Sequence, residues 1–226
     1  MSAVLAEQEA AQQALSPSDN RLVPRTELEA REVDALKANL VRYLDFEAQL
    51  LPGFRPLFRE YEVGTKESVE YAGVRLAGRI DRIDVDGAGR AVVIDYKGSL
   101  SADYEPFATE GRPPAKVQTL VYAQVVKRLL GLDVVGALYV SYGRAPKVAG
   151  AYDGRVLETP HLPNMRHERC ACPPEGERSF ARLLDETEKR AASAVRALLA
   201  GQVDPAPAGP ASCAWCPVTA CLSRED

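Results

Sequence analysis

The stretch that decides the fold is residues 78–97, GRIDRIDVDGAGRAVVIDYK. Both of its ends are rich in apolar, β-branched residues, and the Asp86-Gly87-Ala88-Gly89 segment between them has the composition of a hairpin turn. Two neighbouring strands are therefore predicted, and the first of them extends back to residue 74. Together with the alternating residues that precede it, this stretch predicts an antiparallel meander of three or four strands over residues 58–97.

Predicted helices flank this meander on both sides in the sequence. Thr26 and Glu29 have the spacing of a capping box, which predicts a helix from Thr26 to the Leu51-Pro52-Gly53 breaker. The remaining predicted elements are a helix over 116–130, a strand over 134–142, a weaker strand over 150–158, an irregular segment over 163–176 and a helix over 177–200. This order indicates an α/β fold with a mixed sheet rather than a doubly wound parallel one.

Composition and charge limit the classes of function. The 226-residue chain is long enough to bury a sizeable core, and its net charge of −4 means that any contact with DNA must come from local basic residues. No stretch approaches the ~18 apolar residues of a membrane span, and the first residues do not resemble a signal peptide. We therefore expect a cytoplasmic protein without membrane association. Its predicted parts are a flexible N-terminal segment (1–25), one α/β domain (26–202) and a linker with a cysteine module (203–226).

Two carboxylates and a lysine are placed together by the predicted hairpin. Asp95 and Lys97 alternate on one strand and so share a face, and pairing across the turn brings Asp81 close to Asp95. Two carboxylates form a hard-oxygen site suited to Mg²⁺ or Mn²⁺, and a neighbouring lysine can orient water or stabilise charge on a phosphate. An Asp-x-Lys on a strand is usually a solvated face. Here, however, Asp95 ends an apolar run, where a charged pair needs a partner or a metal.

These residues resemble the RecB/AddB-type branch of the PD-(D/E)XK nucleases. The likeness rests on three motifs in the right order and spacing, which are Gly-Arg-Ile-Asp-Arg-Ile-Asp over 78–84, Val-Ile-Asp-Tyr-Lys over 93–97 and Gln-x-x-x-Tyr over 118–122. The resemblance implies a restriction-endonuclease-like core, with a mixed central β-sheet flanked by helices, over residues 26–202.

The resemblance also implies roles for individual residues. Asp81, Asp95 and the Tyr96 carbonyl would bind the divalent metal, and Lys97 would be the catalytic lysine. Gln118 and Tyr122, one helical turn apart, would share a face that points towards the site. The family pattern further includes a glutamate in the preceding strand. Glu60 fits its spacing better than Glu62, which projects from the same face.

Basic residues near these motifs are candidate contacts for the phosphate backbone of DNA, which would make binding sensitive to salt. The candidates are Arg79, Arg82, Lys116, Lys127 and Arg128. Each of them, taken alone, is also explained as a solvated surface charge.

All five cysteines lie in the last third of the sequence. Cys213, Cys216 and Cys221 follow a proline-rich linker in a segment too short to fold by burial alone, and a metal centre would explain its order. The same nuclease branch carries a similar C-terminal trio, around residues like Trp215 and Pro217, that helps to hold a 4Fe–4S cluster. The resemblance therefore implies a cluster in the intact protein. The family's upstream cysteine and upstream helix histidine are missing, so the chain is interpreted as part of a longer protein or a shortened relative.

A zinc site is the alternative for these cysteines. Cys170 and Cys172, one residue apart, can supply ligands, and His167 lies nearby. A site that combines these three residues with the C-terminal trio is therefore conceivable.

The leading hypothesis for function is an Mg²⁺-dependent DNA nuclease that acts on linear ends or single strands in double-strand break repair. Its wider family is often joined to a helicase, but the sequence has no Gly-x-x-x-x-Gly-Lys-[Ser/Thr] phosphate loop, so helicase activity would belong to another domain or subunit. The alternatives are a catalytically degenerate nuclease fold that binds DNA or a partner protein, and an unrelated metal-binding structural protein.

Overall fold

A computed structural model describes residue 7, residues 26–65, 67–157 and 161–203, and residues 213, 216–218 and 221. The predicted flexible segment over 1–25 lies outside the described residues except at residue 7. Most of the predicted linker and cysteine module over 203–226 also lies outside them.

The helices and strands follow the predicted order. They are α1 (Glu27–Glu47), β1 (Arg55–Val63), β2 (Val69–Tyr71), β3 (Val74–Leu76), β4 (Gly78–Val85), β5 (Arg90–Lys97), α2 (Gln118–Leu130), β6 (Asp133–Ser141), β7 (Val148–Asp153), β8 (Ala171–Cys172) and α3 (Phe180–Leu199). The capping box predicted for the first helix is present, because Thr26 and Glu29 each accept the other's backbone N–H at 3.2 Å.

The main sheet has six strands in the order β1-β4-β5-β6-β7-β8. The β5–β6 and β7–β8 pairs are parallel, and the β1–β4, β4–β5 and β6–β7 pairs are antiparallel. Parallel neighbours require a crossover connection, and α2 provides it between β5 and β6. The prediction of an α/β fold with a mixed central sheet flanked by helices is therefore confirmed.

The prediction of a single meander over residues 58–97 is wrong in one respect. The strand predicted from residue 74 onwards breaks at Ala77, and β2 and β3 form a separate two-stranded sheet. Ala72 (φ 55°) and Gly73 (φ 82°) form its two-residue turn, and two positive φ angles are typical of tight hairpins. β1 consequently pairs with β4 directly.

Two further boundaries differ from the prediction. The weak strand predicted over 150–158 is β7, which begins at Val148 and ends at Asp153. The segment predicted as irregular over 163–176 contains β8, which extends the sheet beside β7.

Each face of the main sheet is covered by its own hydrophobic cluster. On one face Val93 and Ala137 pack with α2 and α3, and on the other Val92 and Ile94 pack with the end of α1 and the segment around Leu162. Because side chains alternate along β5, Asp95 and Lys97 lie on the α2 side of the sheet and Tyr96 lies on the α1 side. No helix in the described part of the chain is long and apolar enough to cross a membrane.

Candidate active site

The site lies where β4 and β5 stop pairing. Their ladder runs from Val85↔Ala91 to Arg82↔Ile94, and the next residues along the strands are Asp81 and Asp95. Beyond the ladder, the backbone N–H of Tyr96 donates to Asp81 Oδ2 at 2.8 Å. A carboxylate thus accepts the hydrogen bond that a strand carbonyl would otherwise take, and both aspartates stand at the open end of the hairpin.

Asp95, Lys97 and Gln118 are directly connected. The Lys97 ammonium ion-pairs with Asp95 Oδ2, and it also donates to Gln118 Oε1 at 3.2 Å. Burial works to lower the pKa of Lys97, but hydrogen bonding and charge attraction to Asp95 outweigh it, so the pKa lies above its ordinary value. The lysine is therefore held in its charged form by its neighbours.

Asp95 is the most enclosed member of the group, with 2% of its surface exposed. Burial raises the pKa of Asp95, the ion pair with Lys97 lowers it, and the negative charge of Asp81 raises it further. The net shift is upwards. Lys97 alone does not compensate for the burial of this carboxylate and for the repulsion from its neighbour, which is the situation that a bound cation relieves.

A divalent cation fits these residues. Asp95 Oδ2 is buried, and among the described residues it meets no donor apart from the Lys97 ammonium. The described residues contain no cluster of three or more His, Cys, Asp or Glu side chains that could hold a metal. The carboxylates that stand together at the open end of the hairpin are those of Asp81 and Asp95, and the Tyr96 carbonyl stays a predicted ligand. Mg²⁺ is commonly bound by one or two carboxylates, with water and substrate phosphates in the other positions.

Tyr122 lies against the start of β4. A Cβ placed on Gly78 would lie 3.0 Å from the Tyr122 hydroxyl, so the absence of a side chain at residue 78 is what admits the ring there. Gln118, one helical turn earlier on α2, contacts Lys97. The structure thus brings Asp81, Asp95, Lys97, Gln118 and Tyr122 to one end of the hairpin. Their roles in catalysis remain predictions.

Glu60 is placed differently. The flanking β1–β4 pairs put residue 60 opposite Asp81, but its backbone has a φ of 51° and its side chain is exposed. Its carboxylate binds Arg79 Nε at 2.7 Å instead of joining the aspartates. Glu62 is also exposed and pairs in register with Arg79. The left-handed backbone interrupts the alternation of β1, which is why strand parity did not predict where residue 60 points.

Two tyrosines lie beside the aspartates and were not predicted from the sequence. Tyr139 pairs with Asp95 in the β5–β6 register, and its hydroxyl accepts the Thr119 N–H at 3.2 Å. The Tyr104 ring packs edge-on against Tyr139 with 4.9 Å between centroids, and Lys116 Nζ lies 5.8 Å from the centre of that ring. If the parallel register of β5 and β6 had been known, the alternation of side chains along β6 would have predicted that Tyr139 lies beside Asp95. Tyr104 lies in a loop without a local signal.

The five basic residues suggested as phosphate contacts lie in different environments. The Arg82 side chain is 11% exposed and is bound to the buried Asp84 and the partly buried Glu47, so it is not free to contact a phosphate. Arg79 and Arg128 are each paired with a glutamate. Lys127 is exposed in the last turn of α2, at the opposite end of that helix from Gln118. Lys116 is the one among the five that lies beside the site residues just described.

The zinc site suggested around Cys170 and Cys172 is not formed. Cys170 packs into the cluster on the α1 side of the sheet and Cys172 into the cluster on the α2 side, so the two thiols point away from each other. Burial raises the pKa of each thiol to about 12. His167 Nδ1 is hydrogen-bonded to the Tyr152 hydroxyl at 2.8 Å. The two cysteines are therefore core residues.

The C-terminal cysteines have partly exposed, unpaired thiols in the structure. Cys216 donates its backbone N–H to the Cys213 carbonyl at 3.3 Å, which places these two residues in one turn. Among the residues that the structure describes, Cys213, Cys216 and Cys221 do not form a metal-binding group.

Comparison with protein families gives a match over nearly the whole chain. A sequence model of the PD-(D/E)XK nuclease superfamily matches residues 1–221. The search of curated proteins returned no significant match. The matched region contains all of the described helices and strands, and the six-stranded mixed sheet flanked by helices is consistent with the restriction-endonuclease-like fold. The chain therefore belongs to the PD-(D/E)XK nuclease superfamily.

Proposed function

We propose that the protein is a divalent-metal-dependent DNA nuclease of the RecB/AddB type that hydrolyses phosphodiester bonds. The observation that supports this proposal is the group at the open end of the β4–β5 hairpin, where Lys97 bridges Asp95 and Gln118 beside Asp81. A purely structural ion pair would not need a second carboxylate next to a buried one, because the two negative charges repel each other.

The residues have separate roles in this proposal. Asp81, Asp95 and the Tyr96 carbonyl would hold Mg²⁺ or Mn²⁺, which supplies charge stabilisation and a more acidic water when bound. Lys97, kept charged by Asp95, would donate a hydrogen bond to the attacked phosphate and stabilise the negative charge that develops on its oxygens. Gln118 would fix the position of that ammonium group. In the reaction the water oxygen forms a bond to phosphorus and loses a proton to solvent, the bond to the leaving sugar oxygen breaks, and that oxygen takes up a proton.

The proposed substrate is linear or single-stranded DNA, and the proposed role is in double-strand break repair together with a helicase domain or subunit. Tyr104 and Lys116 support a strand of nucleic acid beside the site, because an aromatic ring and a cation together recognise a base and its phosphate. The five cysteines are unpaired thiols, which is typical of a reducing compartment and supports a cytoplasmic location.

We also propose that Cys213, Cys216 and Cys221 bind a 4Fe–4S cluster in the intact protein. The support is their close spacing on a short segment within the family match. Anaerobically purified protein should be brown, with broad absorption near ~400 nm and iron and sulfide in equal amounts. Cys216→Ser should remove the colour. Colourless wild-type protein with bound zinc would show that the trio holds zinc instead of a cluster, and protein without either metal would refute metal binding by the trio.

A degenerate nuclease fold that binds DNA or a partner protein is the second candidate function. It is favoured by the absence of a third acidic or histidine ligand beside Asp81 and Asp95 in the described part of the chain. Retention of Asp81, Asp95 and Lys97 together opposes it, because a binding module does not require all three.

Cleavage assays distinguish the two candidates. Wild type, Asp95→Ala and Asp45→Ala are incubated with linear duplex and single-stranded DNA in Mg²⁺, in Mn²⁺ and in EDTA. Asp45 is an exposed aspartate on α1 and serves as the matched control. We expect metal-dependent cleavage by wild type and Asp45→Ala and at least ~100-fold less by Asp95→Ala, the size of effect seen when a group that stabilises the transition state is removed. Equal cleavage by Asp95→Ala would reject the site. DNA binding without cleavage by any of the three would support the binding module.

A further inference from the structure

Arg82 is the centre of a buried polar cluster on the α1 side of the sheet. Its guanidinium donates to both oxygens of Asp84 at 2.6 Å and ion-pairs with Glu47. Its Nη1 also donates to the Tyr96 hydroxyl at 3.0 Å, and Tyr43 donates to the same hydroxyl at 3.3 Å. The Asp84 side chain is 1% exposed and the Arg82 side chain 11%, whereas the Glu47 side chain is 28% exposed and forms the solvent-facing edge of the cluster.

Folding stability alone does not explain this cluster. Removing charges from water costs about as much as a buried ion pair returns, so such a pair adds little net stability. An arginine side chain is not deprotonated in proteins. The guanidinium therefore stays charged, and its fork of donors fixes the orientation of every group that it binds.

Tyr96 connects the cluster to the site on the other face of the sheet. It lies between Asp95 and Lys97 on β5, beyond the end of the β4–β5 ladder. Its backbone N–H binds Asp81, while its hydroxyl is bound by Arg82. Arg82 is itself the residue after Asp81 on β4. Where β4 and β5 no longer pair with each other, Tyr96 therefore joins them on both faces of the sheet.

We propose that Arg82 is a positioning residue for the metal site, acting through the Tyr96 hydroxyl. By holding the tyrosine ring against β4, it fixes the peptide that binds Asp81 and keeps the two aspartates at one separation. Glu47 and Tyr43 extend this support to α1, so a helix on the opposite face of the sheet contributes to the site. This inference rests on the proposed function in one respect, since it takes Asp81 and Asp95 to be metal ligands.

Tyr96→Phe tests the proposal because it removes the hydroxyl and keeps both the ring and the backbone. Mn²⁺ affinity is measured without DNA, from the electron paramagnetic resonance signal of the free ion. Loss of a partner that orients a metal ligand typically costs about 10–100-fold in affinity, and we expect a loss in that range. Hydrogen exchange of the residue 96 amide, followed by NMR in metal-free protein, should become faster because its bond to Asp81 is held less firmly.

Three further variants separate positioning from general stability. Tyr152→Phe is the matched control, because it removes a buried hydroxyl that binds His167 on the same side of the sheet. It should leave Mn²⁺ affinity and the residue 96 amide unchanged. Arg82→Lys keeps the charge beside Asp84 but loses the fork, and should weaken Mn²⁺ binding as Tyr96→Phe does. Combining Arg82→Lys with Tyr96→Phe should weaken it no further.

The outcomes distinguish this inference from the proposed function. Wild-type Mn²⁺ affinity and wild-type amide exchange in Tyr96→Phe would overturn the role of Arg82, while DNA cleavage by wild type would still stand. Additive losses in the double variant would overturn action through Tyr96. A wild type that binds Mn²⁺ and shows the expected losses, but cleaves no DNA, would support the positioning role and refute the nuclease proposal. A wild type that binds no Mn²⁺ would overturn both.

Discussion

Gly78→Ala should reduce activity without a matching loss of stability. A Cβ at residue 78 would lie 3.0 Å from the Tyr122 hydroxyl and 3.6 and 3.7 Å from two of its ring carbons. Ordinary van der Waals contact requires ~3.5 Å, so the hydroxyl must move by about 0.5 Å while the ring carbons need not. The added methyl group therefore acts on one atom of the predicted site.

The expected change in unfolding free energy is small because two effects oppose each other. Gly78 does not have a positive φ, so alanine is compatible with its backbone and stabilises by about 0.4–1 kcal/mol through the unfolded chain. Moving Tyr122 off its preferred rotamer costs about 0.5–1.5 kcal/mol. We therefore expect a net change within about 1 kcal/mol in urea denaturation. Misplacement of a site group by ~1 Å can cost about 100-fold in rate, so a shift of half that size should lower metal-dependent cleavage about 10-fold.

A double-mutant cycle shows whether the effect passes through Tyr122. Tyr122→Phe removes the atom in the close contact, so adding Gly78→Ala to it should cause no further loss of cleavage. Gly87→Ala is the matched control, because a Cβ there meets nothing within 4 Å. Wild-type cleavage by Gly78→Ala, or a 10-fold loss that persists in the Tyr122→Phe background, would refute the reasoning.

Three other predictions concern charge and ionisation. Lys116→Gln should weaken DNA binding and reduce the slope of log affinity against log salt by about 1, whereas Lys127→Gln, at the other end of α2, should change neither; equal slopes for both variants would reject the contact. In metal-free folded protein near pH 8, a thiol reagent should modify the three C-terminal cysteines but not Cys170 or Cys172. The pKa of about 12 of these two thiols leaves a thiolate fraction of about one in ten thousand. Denaturation should make both thiols reactive towards the reagent. Burial lowers the pKa of His167, so the unfolded state takes up a proton on this residue at a higher pH than the folded state does. The stability that His167 contributes is therefore complete above pH ~6.5 and is lost as pH falls through the lower pKa of the folded state. A wild-type urea midpoint that falls no more steeply than that of His167→Asn between pH ~7.5 and ~5 would contradict this prediction.

Local patterns in the sequence determined the hairpin and much of the site. Turn composition and apolar strands predicted β4 and β5, and strand parity placed Asp95 and Lys97 on one face. Helical spacing placed Gln118 and Tyr122 on one side of α2. Each of these features depends on residues only a few positions apart, so the sequence carries them directly.

Tertiary structure decided which of these groups meet. Contact between Lys97 and Gln118 requires α2 to cover the face of β5 that carries Asp95, and nothing local to either element specifies that. The burial of Arg82 and the outward turn of Glu60 likewise depend on partners from other elements.

The two core cysteines show the same limit. Their one-residue spacing suggested a shared metal, but β8 joins the edge of the sheet and buries Cys170 and Cys172 on opposite faces. Periodicity says which side chains share a face of their own element, whereas burial and charge pairing depend on what packs against that face. The sequence by itself therefore determined the chemistry available to this protein, and the packing of distant segments decided where that chemistry is assembled.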